Sequence, residues 1–118
     1  MSLKTQDLFD VSNKVVVVTG GSRGIGEMIT SGFLANNSKV YITARKEEAL
    51  VKKAEELSQK YSCECIPVSG DISNSEGIDA LVNFLNDAEP EGIDFLINNA
   101  GAAWGANYDD FPESGWDK

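Results

Sequence analysis

The sequence predicts an α/β domain, a doubly wound parallel sheet of which this chain supplies about four strands. Three observations carry that expectation. β-Branched runs alternate along the chain with longer stretches whose apolar residues recur at helical spacing. Each stretch between strands is long enough to hold a helix, so successive strands run parallel with helices on both faces. A glycine-rich segment, TGGSRGIG at 19–26, falls at the first strand-to-helix junction.

The elements follow in order. Residues 14–19, KVVVVT, form a continuous β-branched run of the kind buried on both faces. Over 24–36, Ile25, Ile29 and Phe33 recur four apart with Met28 and Gly32 beside them, which predicts a helix with that face inward. Residues 38–44, SKVYITA, are the second strand. Residues 46–60 predict a charged amphipathic helix with Leu50, Ala54 and Leu57 inside, and Glu48–Lys52 and Glu56–Lys60 as favourable pairs on its wet side. Residues 63–69 are the third strand. Ser73-Asn74-Ser75-Glu76 fits a capping box with Ser73 as the cap, and Ile78, Leu81, Val82 and Leu85 follow at helical spacing. Residues 93–98 are the fourth strand, and the tail from Ala100 is loop that enters a helix near Pro112. No repeat, linker or low-complexity stretch divides the chain, so residues 1–118 are expected to form one domain.

Composition narrows the function. With 118 residues, 42% hydrophobic and 25% charged, the chain has the makeup of a soluble globular domain with a real core. No apolar run approaches bilayer length, and the opening MSLKTQDLFD has no secretory h-region, so a cytoplasmic protein is expected. A net charge of −9 argues against nucleic acid or an anionic membrane as partner. An anionic ligand must then be held by local positive groups. The absence of histidine excludes Ser-His-Asp and Cys-His sites and most zinc sites. Cys63 and Cys65, two apart on a strand, are too few for a metal and poorly placed for a disulfide with one another. They are expected to be half-buried thiols of a reducing compartment, and no metal site is expected.

The glycines have physical tasks at the junction. Gly20 allows the tight exit from the strand, Gly24 leaves room for a pyrophosphate against the backbone, and Gly26 lets the helix pack close to the sheet. The unpaired N–H groups of the helix starting near Gly24 favour a phosphate. The second strand ends about 20 residues further on, as dinucleotide sites require.

The spacing GxxxGxG, joined to Asn98-Asn99-Ala100-Gly101, resembles the short-chain dehydrogenase/reductase family over the chain from about Lys14 onward. The wording NNAGAAWG together with SGWDK is similar to its 3-oxoacyl reductase branch, which includes reductases of rhamnolipid synthesis. The resemblance implies a Rossmann fold, a nicotinamide dinucleotide and hydride transfer to or from a carbonyl or alcohol carbon. It implies that Gly20, Ser22, Arg23, Gly24, Ile25 and Gly26 hold the cofactor, that Asp71 contacts the adenine amino group with the backbone of Ile72 nearby, and that Asn98, Ala100 and Gly101 line the nucleotide cleft. A homo-oligomer, dimer or tetramer, is implied as well.

The cofactor choice is legible at the end of the second strand. NAD-users place an acidic residue there to accept from the ribose hydroxyls. This chain has Ala44 at that corner and Arg45 next, with Arg23 as a second basic group on the same side. Loss of the carboxylate removes repulsion toward a 2′-phosphate, and an arginine can bind that phosphate bidentately. NADP(H) is therefore the expected cofactor.

The resemblance also implies a catalytic tyrosine, a lysine four residues later and a serine. Tyr41 is followed at that spacing by Arg45, Tyr61 by Cys65 and Tyr108 by Pro112, so the 118 residues contain no such pair. No catalytic residue is expected among them. SGWDK resembles the opening of a long helix, and ending there would leave the fourth strand an exposed edge. The expectation is the cofactor-binding part of a longer reductase, itself inactive. The competing expectation is a short, non-catalytic NADP(H)-binding module.

Overall fold

A computed structural model describes residues 1–103 and 105–116. Its elements run α1 (Thr5–Leu8), β1 (Val15–Thr19), α2 (Gly24–Ala35), β2 (Lys39–Ala44), α3 (Glu47–Tyr61), β3 (Cys65–Ser69), α4 (Ser75–Ala88), β4 (Phe95–Ile97), a 3₁₀ turn (Tyr108–Asp110) and α5 (Glu113–Trp116). All four strands are parallel, in the order β3-β2-β1-β4. The order reverses direction at β1, between β2 on one side and β4 on the other. That reversal opens a crevice at the carboxyl ends of the strands.

The core forms because β1 and β2 are apolar at successive positions. Val16, Val18, Val40 and Ile42 meet Leu34 of α2 and Leu50, Ala54 and Leu57 of α3 on one face of the sheet. Val17 and Tyr41 project to the other face, where the Tyr41 ring stands edge-on to Phe84 of α4, centroids 6.2 Å apart. The sheet is thus wound on both faces. At the amino end of β2, the Tyr41 hydroxyl and the Lys39 ammonium both donate to Oε2 of Glu89, at 2.9 and 3.1 Å. Glu89 follows the last turn of α4, so the pair pins that helix end to the central strands. Burial first, and then the Glu89 carboxylate, raises the Tyr41 phenol above its ordinary pKa; the hydrogen bond to Glu89 raises Lys39.

Several sequence expectations are corrected. In α2 the buried residues are Gly26, Thr30 and Leu34, while Ile25 and Met28 face solvent at 70% and 74% exposure. Ile29 and Phe33 pack only at the margin of the core. The helix is rotated because Gly26 must lie against the exit of β1, which turns Ile25 outward. The pairs Glu48–Lys52 and Glu56–Lys60 do not form among the described residues. Lys53 instead bridges Glu56 at 3.3 Å and Glu27 of α2 at 2.9 Å, tying the two helices together. The apolar positions of α4 have the expected spacing, but none is fully buried. β3 and β4 are shorter than expected, so Cys63 lies outside the strand. In the tail, Trp104, Asp117 and Lys118 lie outside the described residues, and with them part of NNAGAAWG and of the SGWDK helix. α5 begins just after Pro112.

Cys65 is only 6% exposed, and burial pushes its thiol up to about 12. The thiolate is the reactive species. A thiol reagent at pH 8 is therefore expected to leave Cys65 unmodified in the native protein and to reach it only in denaturant. Labelling of both cysteines at equal rates without denaturant would contradict the packing of β3.

Candidate functional site

The site begins where β1 ends. Gly20 and Gly24 have φ of +65° and +57°, a region that side chains disfavour. Arg23, extended, immediately precedes the first turn of α2, and among the described residues no side chain caps that turn. Its leading N–H groups and the positive end of the helix dipole are left free. Gly26 is buried, and a Cβ there would collide with the carbonyl oxygen of Gly20. Only glycine lets the helix come this close to the strand.

A polar clamp closes the junction from β4. The Asn99 side-chain amide donates to the carbonyls of Thr19 and Gly20, both at 3.1 Å. The backbone N–H groups of Asn99 and Ala100 donate to the buried Thr19 hydroxyl, both at 3.0 Å. That hydroxyl in turn donates to the carbonyl of Ile97 at 3.4 Å. Two chain segments some 80 residues apart are thereby held in one geometry.

Above this clamp lies an open cavity of about 530 Å³ across the carboxyl ends of the strands. Gly20, Ser22 and Arg23 form one wall, Thr43, Ala44 and Arg45 line the end of β2, and Gly70 to Ser73 follow β3. Asn99 to Ala102 close the β4 side. Both arginines are exposed at the rim. Among the expected residues, Gly20, Ser22, Arg23, Arg45, Asp71, Ile72, Ala100 and Gly101 come together here. Gly24, Ile25, Gly26 and Asn98 do not line it: Gly24 fronts open space, Ile25 and Asn98 face solvent, and Gly26 is beneath the loop. Asn99 turns inward in place of Asn98. Sequence reasoning missed Thr19 and Asn99 as the clamp, although a threonine ending a buried valine run needs a partner for its hydroxyl.

At the β3 end, Asp71 is anchored by Ser73. Oδ1 of Asp71 accepts from the Ser73 hydroxyl at 2.6 Å and from the Ser73 N–H at 3.0 Å. These two bonds, with a smaller contribution from Arg45, hold the Asp71 carboxyl below its ordinary pKa. The capping box expected at Ser73 does not form. Asn74 is the cap of α4, accepting from the Gly77 N–H at 2.8 Å. Among the described residues no acidic or cysteine cluster could hold a metal ion, and no helix is long and apolar enough to cross a membrane.

The family model described as short chain dehydrogenase matches residues 14–118, from the start of the sheet through the end of the chain. The chain belongs to the short-chain dehydrogenase/reductase family. Among its relatives is the rhamnolipids biosynthesis 3-oxoacyl-[acyl-carrier-protein] reductase of Pseudomonas aeruginosa, 41% identical over 93% of this chain and 42% of the relative. The chain thus spans less than half the length of that relative. Among solved structures, the Pseudomonas aeruginosa RhlG/NADP active-site complex matches with a TM-score of 0.84 and 39% identity, over 92% of this chain and 41% of that one. L-Sorbose reductase of Gluconobacter frateurii, solved with NADPH and L-sorbose, matches with a TM-score of 0.82 and 32% identity, over 92% and 41%. The doubly wound Rossmann architecture of this oxidoreductase family is therefore the architecture of this chain.

The clamp predicts its own energetics. Asn99→Ala is expected to lower unfolding free energy by about 2 kcal/mol, since it strips the carbonyls of Thr19 and Gly20 of a donor. A urea titration measures it, and an unchanged midpoint would show that the clamp is not stabilising.

Proposed function

We propose that the protein is an NADP(H)-dependent oxidoreductase that interconverts a carbonyl and an alcohol, on a 3-oxoacyl thioester or a small ketone, and that this chain supplies the cofactor half. The observation that carries it is the pair Arg23 and Arg45 on the rim of one cavity, with Ala44 in place of an acid at the end of β2. In a chain of net charge −9, two positive groups on one rim would suit a 2′-phosphate. The cavity suits a dinucleotide on other grounds. The uncapped first turn of α2 offers N–H groups to a pyrophosphate, and Gly24 leaves that approach open. The carboxylate of Asp71 and the backbone of Ile72 suit the adenine end, and Ala100 and Gly101 form the wall beneath the nicotinamide half.

When bound, the cofactor supplies the hydride. This chain's residues would bind and orient it: Arg23 and Arg45 the phosphate, the first turn of α2 the pyrophosphate, and Asp71 the base. None of the 118 residues forms a Tyr-x-x-x-Lys pair, so the proton is expected to be handled by residues outside them. The 118-residue segment alone should therefore bind NADPH without oxidising it. The names of the relatives, a 3-oxoacyl reductase and a sorbose reductase, support carbonyl reduction as the reaction class. The active protein is proposed to be a cytoplasmic homo-oligomer, with no nucleic acid or membrane among its partners.

Arg45→Asp is the direct test. It removes a charge-assisted contact to the 2′-phosphate and places a carboxylate beside the corner where a free ribose would accept one. The preference for NADPH over NADH, measured as a ratio of dissociation constants in the full-length protein, is expected to fall at least about tenfold. An unchanged ratio would overturn the NADP(H) assignment.

A further inference from the structure

The adenine end of the cavity contains a contact that the cofactor assignment does not use. Asp71 has two carboxylate oxygens, and Ser73 occupies one of them twice, through its hydroxyl at 2.6 Å and its backbone N–H at 3.0 Å. Among the described residues no hydrogen bond falls on Oδ2. The backbone beneath is equally constrained, because a Cβ at Gly77 would collide with the Asp71 carbonyl oxygen. The Asn74 cap holds Gly77 in the first turn of α4. Loop and helix are thus packed together at Gly77, and Ser73 holds one edge of the Asp71 carboxyl group.

We propose that Ser73 is a positioning residue for base recognition: by holding Oδ1 of Asp71 it leaves Oδ2 as the acceptor offered to the exocyclic amino group of adenine. This rests on the NADP(H) reading and adds a specificity device to it. A carboxylate free to rotate accepts a donor in many orientations and discriminates weakly. A carboxylate with one oxygen engaged presents a single fixed acceptor. It rewards an amino group at the base and repels a carbonyl oxygen there. Ser73 need not touch the cofactor, and because Asn74 caps α4, its hydroxyl is free for this purpose.

The test compares NADPH with its hypoxanthine analogue, which carries a carbonyl where adenine has the amino group. Binding to the full-length protein is measured by fluorescence for the unsubstituted chain, Ser73→Ala and Ser73→Thr. The unsubstituted protein is expected to favour the adenine form. Ser73→Ala should reduce that preference about fivefold, chiefly by weakening the adenine form, and Ser73→Thr, which keeps the hydroxyl, should restore it. Equal weakening of both nucleotides by Ser73→Ala would mark a structural role and overturn the proposal, as would an unchanged preference. NADPH binding with no preference for adenine in the unsubstituted protein would remove Asp71 from the base while leaving the arginine assignment intact. Failure to bind NADPH at all would overturn the cofactor reading, and this one with it.

Discussion

The geometry of the cavity depends on one close approach, that of Gly26 to the carbonyl of Gly20, held from the other side by Asn99. The approach sets the first turn of α2 against the exit of β1. The clamp then prevents the exit from relaxing. The first is a contact of backbone on backbone and the second a set of side-chain hydrogen bonds to the backbone, and together they determine where the leading N–H groups of α2 point. The rest of the site is arranged around that point: β2 brings Arg45 from one side, and the loop after β3 brings Asp71 from beyond it. The cost of polar groups buried in the clamp is offset because each has a partner: no buried side-chain nitrogen or oxygen among the described residues is left unsatisfied.

Electrostatics acts locally against the global trend. The chain is acidic overall, and its long-range field does not attract an anionic cofactor. At the proposed site attraction would come from the two arginines and the uncapped helix end, acting at contact range within the screening length in physiological salt, which is about 8 Å. Acidic residues are not excluded from the neighbourhood, since Asp71 lies in the same cavity. Its charge is neutralised in part by the two donors of Ser73 and by Arg45, which is why its carboxyl ionises more readily than an ordinary one.

Much of this was legible in the sequence. The alternation of β-branched runs and helical spacings gave the order of strands and helices, because each pattern reports the environment that its element must enter. The glycine spacing indicated the junction, since glycine is favoured at the positive φ of Gly20 and required by the close approach at Gly26. The facing of α2 was misjudged for the same reason. Apolar periodicity assigned Ile25 inward, but the backbone contact at Gly26 sets the rotation of the helix, and a glycine contributes nothing to a hydrophobic count. In α4 the spacing predicted the helix, but Ile78 and Val82 remain exposed at 46% and 47%, and Phe84, outside the expected face, is the residue that meets Tyr41. Asn99 was overlooked in favour of Asn98 because adjacent residues at the end of a strand point opposite ways, and only the tertiary fold decides which of the two turns inward. Ser73 looked like a cap on sequence grounds. One residue of shift gave that task to Asn74 and released the serine hydroxyl for Asp71.

The clamped glycine junction and the two arginines are proposed to form one dinucleotide site. A crystal structure of the full-length protein with NADPH tests it directly. The account predicts a pyrophosphate against the first turn of α2 beside Gly24, a 2′-phosphate between Arg23 and Arg45, and an adenine amino group on Asp71. A nucleotide bound elsewhere, or a 2′-phosphate directed away from both arginines, would contradict it.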